Sequence, residues 1–476
     1  MKTHIPICRL GAPYRSLIQT EVIDAQTGKV RAVLSLANAG LIRRDVRSIA
    51  KGRYALRRMS SQQILDICAQ AGELFLHDTL PLDDNGATQT PQQYVDALSA
   101  TSGLPHVLCR QNMQKIYTAL TQMTTILRGL TRGLDLSAVD NGFGRHNGVT
   151  VSYLAATDAL GVVLPSNSPG VNSIWLPAVG LKIPVVLKPG STEPWTPLRI
   201  IRALVAAGYP DTALGFYPTD HEGAAAILDT CNRSILFGDD ATIRAHAGNP
   251  NVQLHGSGRS KVVLGPDVVD QWPDLLDVLV ASILDNGGRS CINASCIIAP
   301  RHADEIAEAL ARRLATINPR LPDDDDAMLA AFVNPAICTA INNTIERGLQ
   351  VPGAVEVTEQ FRTGTRHQTV NGLSYLQPTV VRCENLQHPL GNTEFLFPFA
   401  GVIEMSMEDA LRSIGPTLAT TVITNDAELK QRFIRCRHID RLNLGAIPTT
   451  RVDWDQPHEG NLFELLYRRR AIQHEF

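Results

Sequence analysis

Nowhere in its 476 residues does the chain hold an apolar run of the roughly 18 residues that a membrane helix needs, so no membrane partner is expected. The segment from Met1 to Leu10 has no uninterrupted apolar core followed by small residues, and the expectation drawn from it is a cytoplasmic protein. A basic excess is missing too: 44 Lys and Arg stand against 47 Asp and Glu, a net charge of -3, which offers no field for a nucleic-acid backbone. The nine cysteines show no Cys-x-x-Cys pairing, so zinc is not expected. Their odd, scattered placement reads as a reduced intracellular chain and not a disulfide framework. With neither internal repeats nor low-complexity tracts, the length is too great for one core and predicts two large domains.

What is present alternates in texture. From Leu41 to about Leu130 apolar residues recur at three- and four-residue spacings, predicting helices at Ser61 to Leu76 and Gln111 to Leu130, with a loop from Leu80 to Pro91. Residues 134 to 157 alternate apolar and polar groups about Asp140-Asn141-Gly142 and predict a protruding hairpin. Short apolar runs follow, at Leu160 to Leu164, Pro184 to Lys188, Ala213 to Tyr217, Ser234 to Phe237 and Lys261 to Leu264. Each is separated from the next by helix-length segments, the pattern of a parallel sheet. A second set, Cys296 to Ala299, Ala400 to Glu404 and Thr420 to Thr424 with the helix Ala303 to Ala315, predicts a second α/β domain. The fold class read from this is α/β. The pattern predicts one unit over residues 1–133 and 158–255, a second over 256–461, and a hairpin and terminal strand at 134–157 and 462–476.

Five segments carry chemistry. In Asp285-Asn286-Gly287-Gly288-Arg289-Ser290-Cys291 a glycine pair permits a tight turn before a cysteine, and Arg289 is placed to favour its thiolate; Cys296, inside an apolar run, reads as core. In Leu164-Pro165-Ser166-Asn167-Ser168-Pro169 two prolines brace an asparagine amide so that it can be aimed, which suits an oxyanion donor. Lys188 and then Gly238-Asp239 close predicted strands, and the C-terminal ends of such strands are where open α/β sheets bind ligands. The last segment is Glu394-Phe395-Leu396-Phe397-Pro398.

In order and spacing these segments, over about residues 105 to 450, resemble the aldehyde dehydrogenase superfamily. The resemblance implies two Rossmann-like domains, with nucleotide binding for the unit 1–133 and 158–255, catalysis for 256–461 and oligomerisation for the hairpin and terminal strand at 134–157 and 462–476, and with Cys291 as nucleophile. Asn167 and the Cys291 amide would form the oxyanion hole, Lys188 would bind the adenosine ribose, and Glu394 the nicotinamide ribose. Pro165, Ser166, Ser191, Phe237, Gly238, Asp239 and Leu396 complete the implied cofactor set. The helices leading into Leu164 to Ser173 look similar to the acyl-CoA reductase branch, typified by the bioluminescence fatty-acid reductase.

Departures from the family pattern choose the expected reaction. Hydrolytic members carry a glutamate base in a Glu-Leu-Gly-Gly stretch, where this chain reads Gln253-Leu254-His255-Gly256. Water needs a base, whereas a coenzyme A thiol needs far less help. The expectation is therefore an acylating enzyme that interconverts an acyl-CoA and an aldehyde, with coenzyme A as co-substrate. Hydrolysis assisted by His255 is the alternative, and a non-catalytic dinucleotide-binding scaffold is the alternative of another class. Ser191 stands where NAD-preferring relatives carry an acid, with Glu193 displaced by two, so NAD(P) is expected with NADP favoured. Gly256-Ser257-Gly258 is read as a junction loop. Trp454 and His458 are candidate tunnel residues, and Leu466 to Gln473 is expected to complete a partner's sheet in a homodimer or homotetramer.

Overall fold

The computed structural model describes residues 3–473. Residues 1–2 and 474–476, at the outer ends of the ranges above, lie outside the described residues. The first 40 residues, which the patterns above leave unassigned, hold five short strands. Two of them, Ile7–Arg9 and Ala12–Tyr14, add an antiparallel edge to a seven-stranded sheet. The rest of that sheet is parallel, in the order Val252–His255, Arg233–Phe237, Leu160–Val163, Val185–Lys188, Leu214–Phe216. These strands are almost wholly buried, which is why they read as continuous apolar runs and not as alternation.

A second seven-stranded sheet runs Ala354–Glu356, Thr379–Cys383, Phe399–Glu404, Ala294–Ala299, Ser260–Leu264, Thr417–Ile423, Ile439–Leu444, parallel except at its first pair. Only residues 256–259 separate the last strand of the first sheet from the opening strand of the second, so His255 is carried close to the Cys291 loop.

Helix Ser61–His77 begins at a capping box in which Ser60 and Gln63 satisfy each other's backbone N–H. The predicted helix from Gln111 to Leu130 is two helices, His106–Thr121 and Met123–Leu130, broken at Gln122. Next to the break the Thr121 hydroxyl donates back to the Tyr117 carbonyl, a contact that bends helices.

The hairpin forms, but its turn is not at Asp140-Asn141-Gly142. Those residues end the short helix Ser137–Asn141, with the Asp140 carboxylate held by Lys182 at 2.7 Å and by Ser61. The reversal between Phe143–His146 and Val149–Ala155 is Asn147-Gly148, both with positive φ, as a two-residue hairpin turn requires. The terminal strand is Tyr467–Arg470, and it pairs with Val149–Ala155 of its own chain, Tyr467 opposite Ala155 and Arg470 opposite Ser152. One edge of the strand is thus taken by the local hairpin, and the Tyr467 hydroxyl fastens the strand to the Leu181 carbonyl at 2.7 Å.

Candidate active site

Cys291 follows a turn in which Asn286, Gly287 and Gly288 all have positive φ, a run that needs glycines and tolerates one asparagine. Side chains lock this turn. Asn286 accepts from Asn112 at 2.7 Å and donates to Ser290 and Ser168, while Asn112 in turn accepts from the Gly170 N–H. Asn293 accepts from the Ser290 N–H and donates to the carbonyls of Ser282, Ile283 and Asp285. The Ser260 hydroxyl holds the Cys291 carbonyl at 2.9 Å.

The half-buried Cys291 opens on a narrow cavity of about 90 Å³. Its walls are largely apolar, with Ile126, Leu130, Val171, Ile174 and Trp454 among them, and a few polar groups converge: Lys115, Gln253, Ser168, His458 and Glu459. Burial pushes the Cys291 thiol up to about 12; Glu394 and Glu459 push the same way, and Lys115 and Arg441 oppose them. The expected helper, Arg289, is not among these charges. Its guanidinium is turned into the interior, donating to the Ala331 carbonyl and lying over the Phe332 ring. Burial lowers it to about 10.

A carboxylate, Glu459, stands on the cavity wall next to Gln253. It reaches His255 Nδ1 at 2.5 Å, and Gln253 donates to its backbone carbonyl. His255 itself is buried, stacked on Phe237 with ring centroids 4.6 Å apart, and does not line the cavity. Arg441 donates to His458 Nδ1 at 2.9 Å. An arginine can only donate, so that nitrogen is the acceptor and Nε2 carries the proton. Burial, then Arg441 and Lys115, hold His458 well below the usual imidazole range, so the ring is neutral. Trp454 and His458 both stand on the cavity wall.

The model of the aldehyde dehydrogenase family matches residues 18–461. The chain belongs to that family. N-succinylglutamate 5-semialdehyde dehydrogenase 2 of Caulobacter vibrioides is 25% identical over 371 residues, 72% of this chain and 71% of the relative. The solved structure of aldehyde dehydrogenase 21 from Physcomitrella patens, in complex with the product succinate, superposes with a TM-score of 0.76 at 16% identity, covering 99% of this chain and 98% of the other. An indole-3-acetaldehyde dehydrogenase bound to NAD+ gives 0.79 at 17% identity, covering 99% and 96%. At these identities the structural likenesses speak for the fold.

In this aldehyde dehydrogenase the motif residues gather at the C-terminal ends of the first sheet. Lys188 pairs in register with Val163, just before Pro165, Ser166 and Asn167. The Asn167 amide donates to the Arg289 carbonyl at 2.9 Å, which fastens it to the Cys291 loop; Ser168, not Asn167, lines the cavity. Lys188 is half-buried, lowered by burial, and bonded to nothing among the described residues. A Cβ on the buried Gly190 would stand 2.4 Å from the Pro165 carbonyl and the Ser166 hydroxyl, so only glycine lets these two strand-end loops pack together. Ser191 is exposed beside it.

Three residues of the implied cofactor set are engaged otherwise. Asp239 caps the short helix Asp240–His246 through the Thr242 N–H, Glu394 accepts from the Arg259 N–H at 2.7 Å and is raised to about 7 by burial, and Leu396 points to solvent. Glu193 is buried, bonded to the Thr196 N–H and hydroxyl, and raised to about 8 by burial. Lys115, Arg441, Glu459, Asn112 and Asn286 are the site residues that motif reading passes over. The signal within reach was the Asn-Gly-Gly run at 286–288 and the acid directly after His458.

Proposed function

We propose that the protein oxidises an aldehyde to the free carboxylic acid with NAD(P), through a thioester on Cys291. The observation that carries this reading is Glu459 on the cavity wall beside Cys291. The case for coenzyme A rested on a missing base at Gln253, and a carboxylate supplied from the C-terminal loop removes its premise.

The Cys291 thiol gives its proton to solvent, with Lys115 and Arg441 favouring the thiolate. Sulfur adds to the aldehyde carbon, and the oxygen that becomes charged is held by the Cys291 N–H and the second Asn167 amide proton. Lys188, Ser191 and Ser166 would hold the dinucleotide, which when bound would accept the hydride that the adduct gives up. The inward-turned Glu193 leaves no acid toward a 2′-phosphate, which supports NADP alongside NAD. Glu459, held in place by His255, then takes a proton from water as its oxygen attacks the thioester; the carbon–sulfur bond breaks, and the acid leaves.

Glu459→Gln tests the reading. The variant is expected to release about one equivalent of NAD(P)H per Cys291 in a burst and then to slow by about 100-fold or more, with an acyl adduct on Cys291 visible by intact mass. Wild-type steady-state turnover in the variant would overturn it. A homodimer or homotetramer is also proposed: among the described residues the outer edges of Phe143–His146 and Tyr467–Arg470 have no strand beside them, and Val149 is 55% exposed.

A further inference from the structure

Lys115 sits on helix His106–Thr121 and enters the same cavity as Cys291. Its stem lies against Gly170, and its ammonium donates to no group and pairs with no carboxylate among the described residues. Lys115 is partly withdrawn from water, and a lysine so placed is ordinarily paired, because an isolated charge beside an apolar wall is costly. The charges around it do not supply a partner. Glu459, the acid on the same wall, stands 2.5 Å from His255 Nδ1 and forms no ion pair with Lys115 among the described residues. Arg441, behind His458, adds a second positive charge and donates to His458, so the imidazole also shows the cavity a donor. One face of the cavity thus carries a cation and a donor, beside Glu459, Gln253 and Ser168, while Val171, Ile174 and Trp454 belong to its largely apolar remainder.

We infer that the substrate is an aldehyde carrying a carboxylate at its other end, the carboxylate seated on Lys115 with the His458 Nε2–H beside it and its carbon chain along Val171, Ile174 and Trp454. This rests on the reading of Cys291 as the nucleophile toward an aldehyde. An anion there supplies the counter-charge that the protein withholds, and a neutral aldehyde of equal length leaves the lysine unpaired, which is how a site built around a buried polar group rejects analogues that lack its partner. A single charged contact of this kind discriminates by about 10- to 150-fold.

The test compares kcat/KM for succinate semialdehyde with butanal, and for glutarate semialdehyde with pentanal, each with and without coenzyme A. The carboxylate-bearing member of at least one pair is expected to lead by 10-fold or more. Lys115→Met is expected to bring that ratio near one through a raised KM, and Lys115→Arg to restore most of it. Binding is read separately: succinate or glutarate is expected to slow alkylation of Cys291 by iodoacetamide in the wild type and not in Lys115→Met, whereas butyramide protects neither. A ratio near one in the wild type, or one unchanged in Lys115→Met, overturns the inference. So does an equal loss on both members of a pair, which would make Lys115 a group that serves the thiol alone. A requirement for coenzyme A would defeat the hydrolytic reading and leave the ratio to be scored as before.

Discussion

The amide of Asn167 is bonded to the carbonyl of Arg289, two residues ahead of Cys291. One proton of the amide is spent on holding the cysteine loop, and the proposed oxyanion role falls to the other. Asn167→Ala is therefore expected to do two things: lower kcat by about 100- to 1000-fold, as loss of an oxyanion donor does, and loosen the loop. Stopped-flow hydride transfer with saturating cofactor checks the first. An unchanged rate would contradict the assignment.

Cys291 and Cys296 are separated by five positions in the chain and by their surroundings. Cys296 lies in the strand Ala294–Ala299 with no exposure, whereas Cys291 opens on the cavity. Cys291→Ala should abolish aldehyde oxidation and Cys296→Ala should keep most of it. Equal losses in two folded variants would refute the distinction. Because burial holds the Cys291 thiol near 12, its alkylation rate in the free enzyme should climb about tenfold per pH unit from 7 to 10. A plateau by pH 8 would contradict this.

Much of the architecture was legible beforehand because buried parallel strands announce themselves as short apolar runs, and eight such runs fall within the two sheets. The strands before Leu41 were not legible, since segments such as Ala12–Tyr14 are exposed three-residue pieces defined by their partners alone. The hairpin turn was misplaced because Asp140-Asn141-Gly142 carries a turn signature while Asp140 is claimed by Lys182 and Ser61 from distant segments. The cavity was half legible: Cys291, Trp454 and His458 were singled out. Lys115, Gln253 and Glu459 meet them only in space, and an argument from the missing acid at Gln253 could not see an acid arriving from 206 residues further on.

Glu193 offers a test of stability. Its folded-state pKa, near 8, is above that of an unfolded carboxyl. The folded protein therefore holds a proton that the unfolded chain releases, and the stability this brings is full below about pH 4.5 and is lost as pH rises through 8. Glu193→Gln keeps the acceptor for Thr196 and removes the titration. Its Tm relative to wild type should rise steadily between pH 5 and pH 8.5. A difference independent of pH would show that Glu193 is ionised in the folded state.

Removing residues 467–476 strips Val149–Ala155 of a strand partner and opens the pocket that Tyr467 closes. The truncated protein is expected to aggregate or to lose several degrees of Tm, and the full chain to sediment as a dimer or larger, above the 51.8 kDa of one copy. An active species of one copy at micromolar concentration would contradict the proposed assembly.

The central claim is that water, and not coenzyme A, relieves the thioester on Cys291. The most direct measurement follows NAD(P)H and free acid together during aldehyde oxidation without added coenzyme A. The account predicts many turnovers, with acid and NAD(P)H rising one to one. A single equivalent of NAD(P)H per Cys291, with turnover resuming only when coenzyme A is added and an acyl-CoA as product, would contradict it.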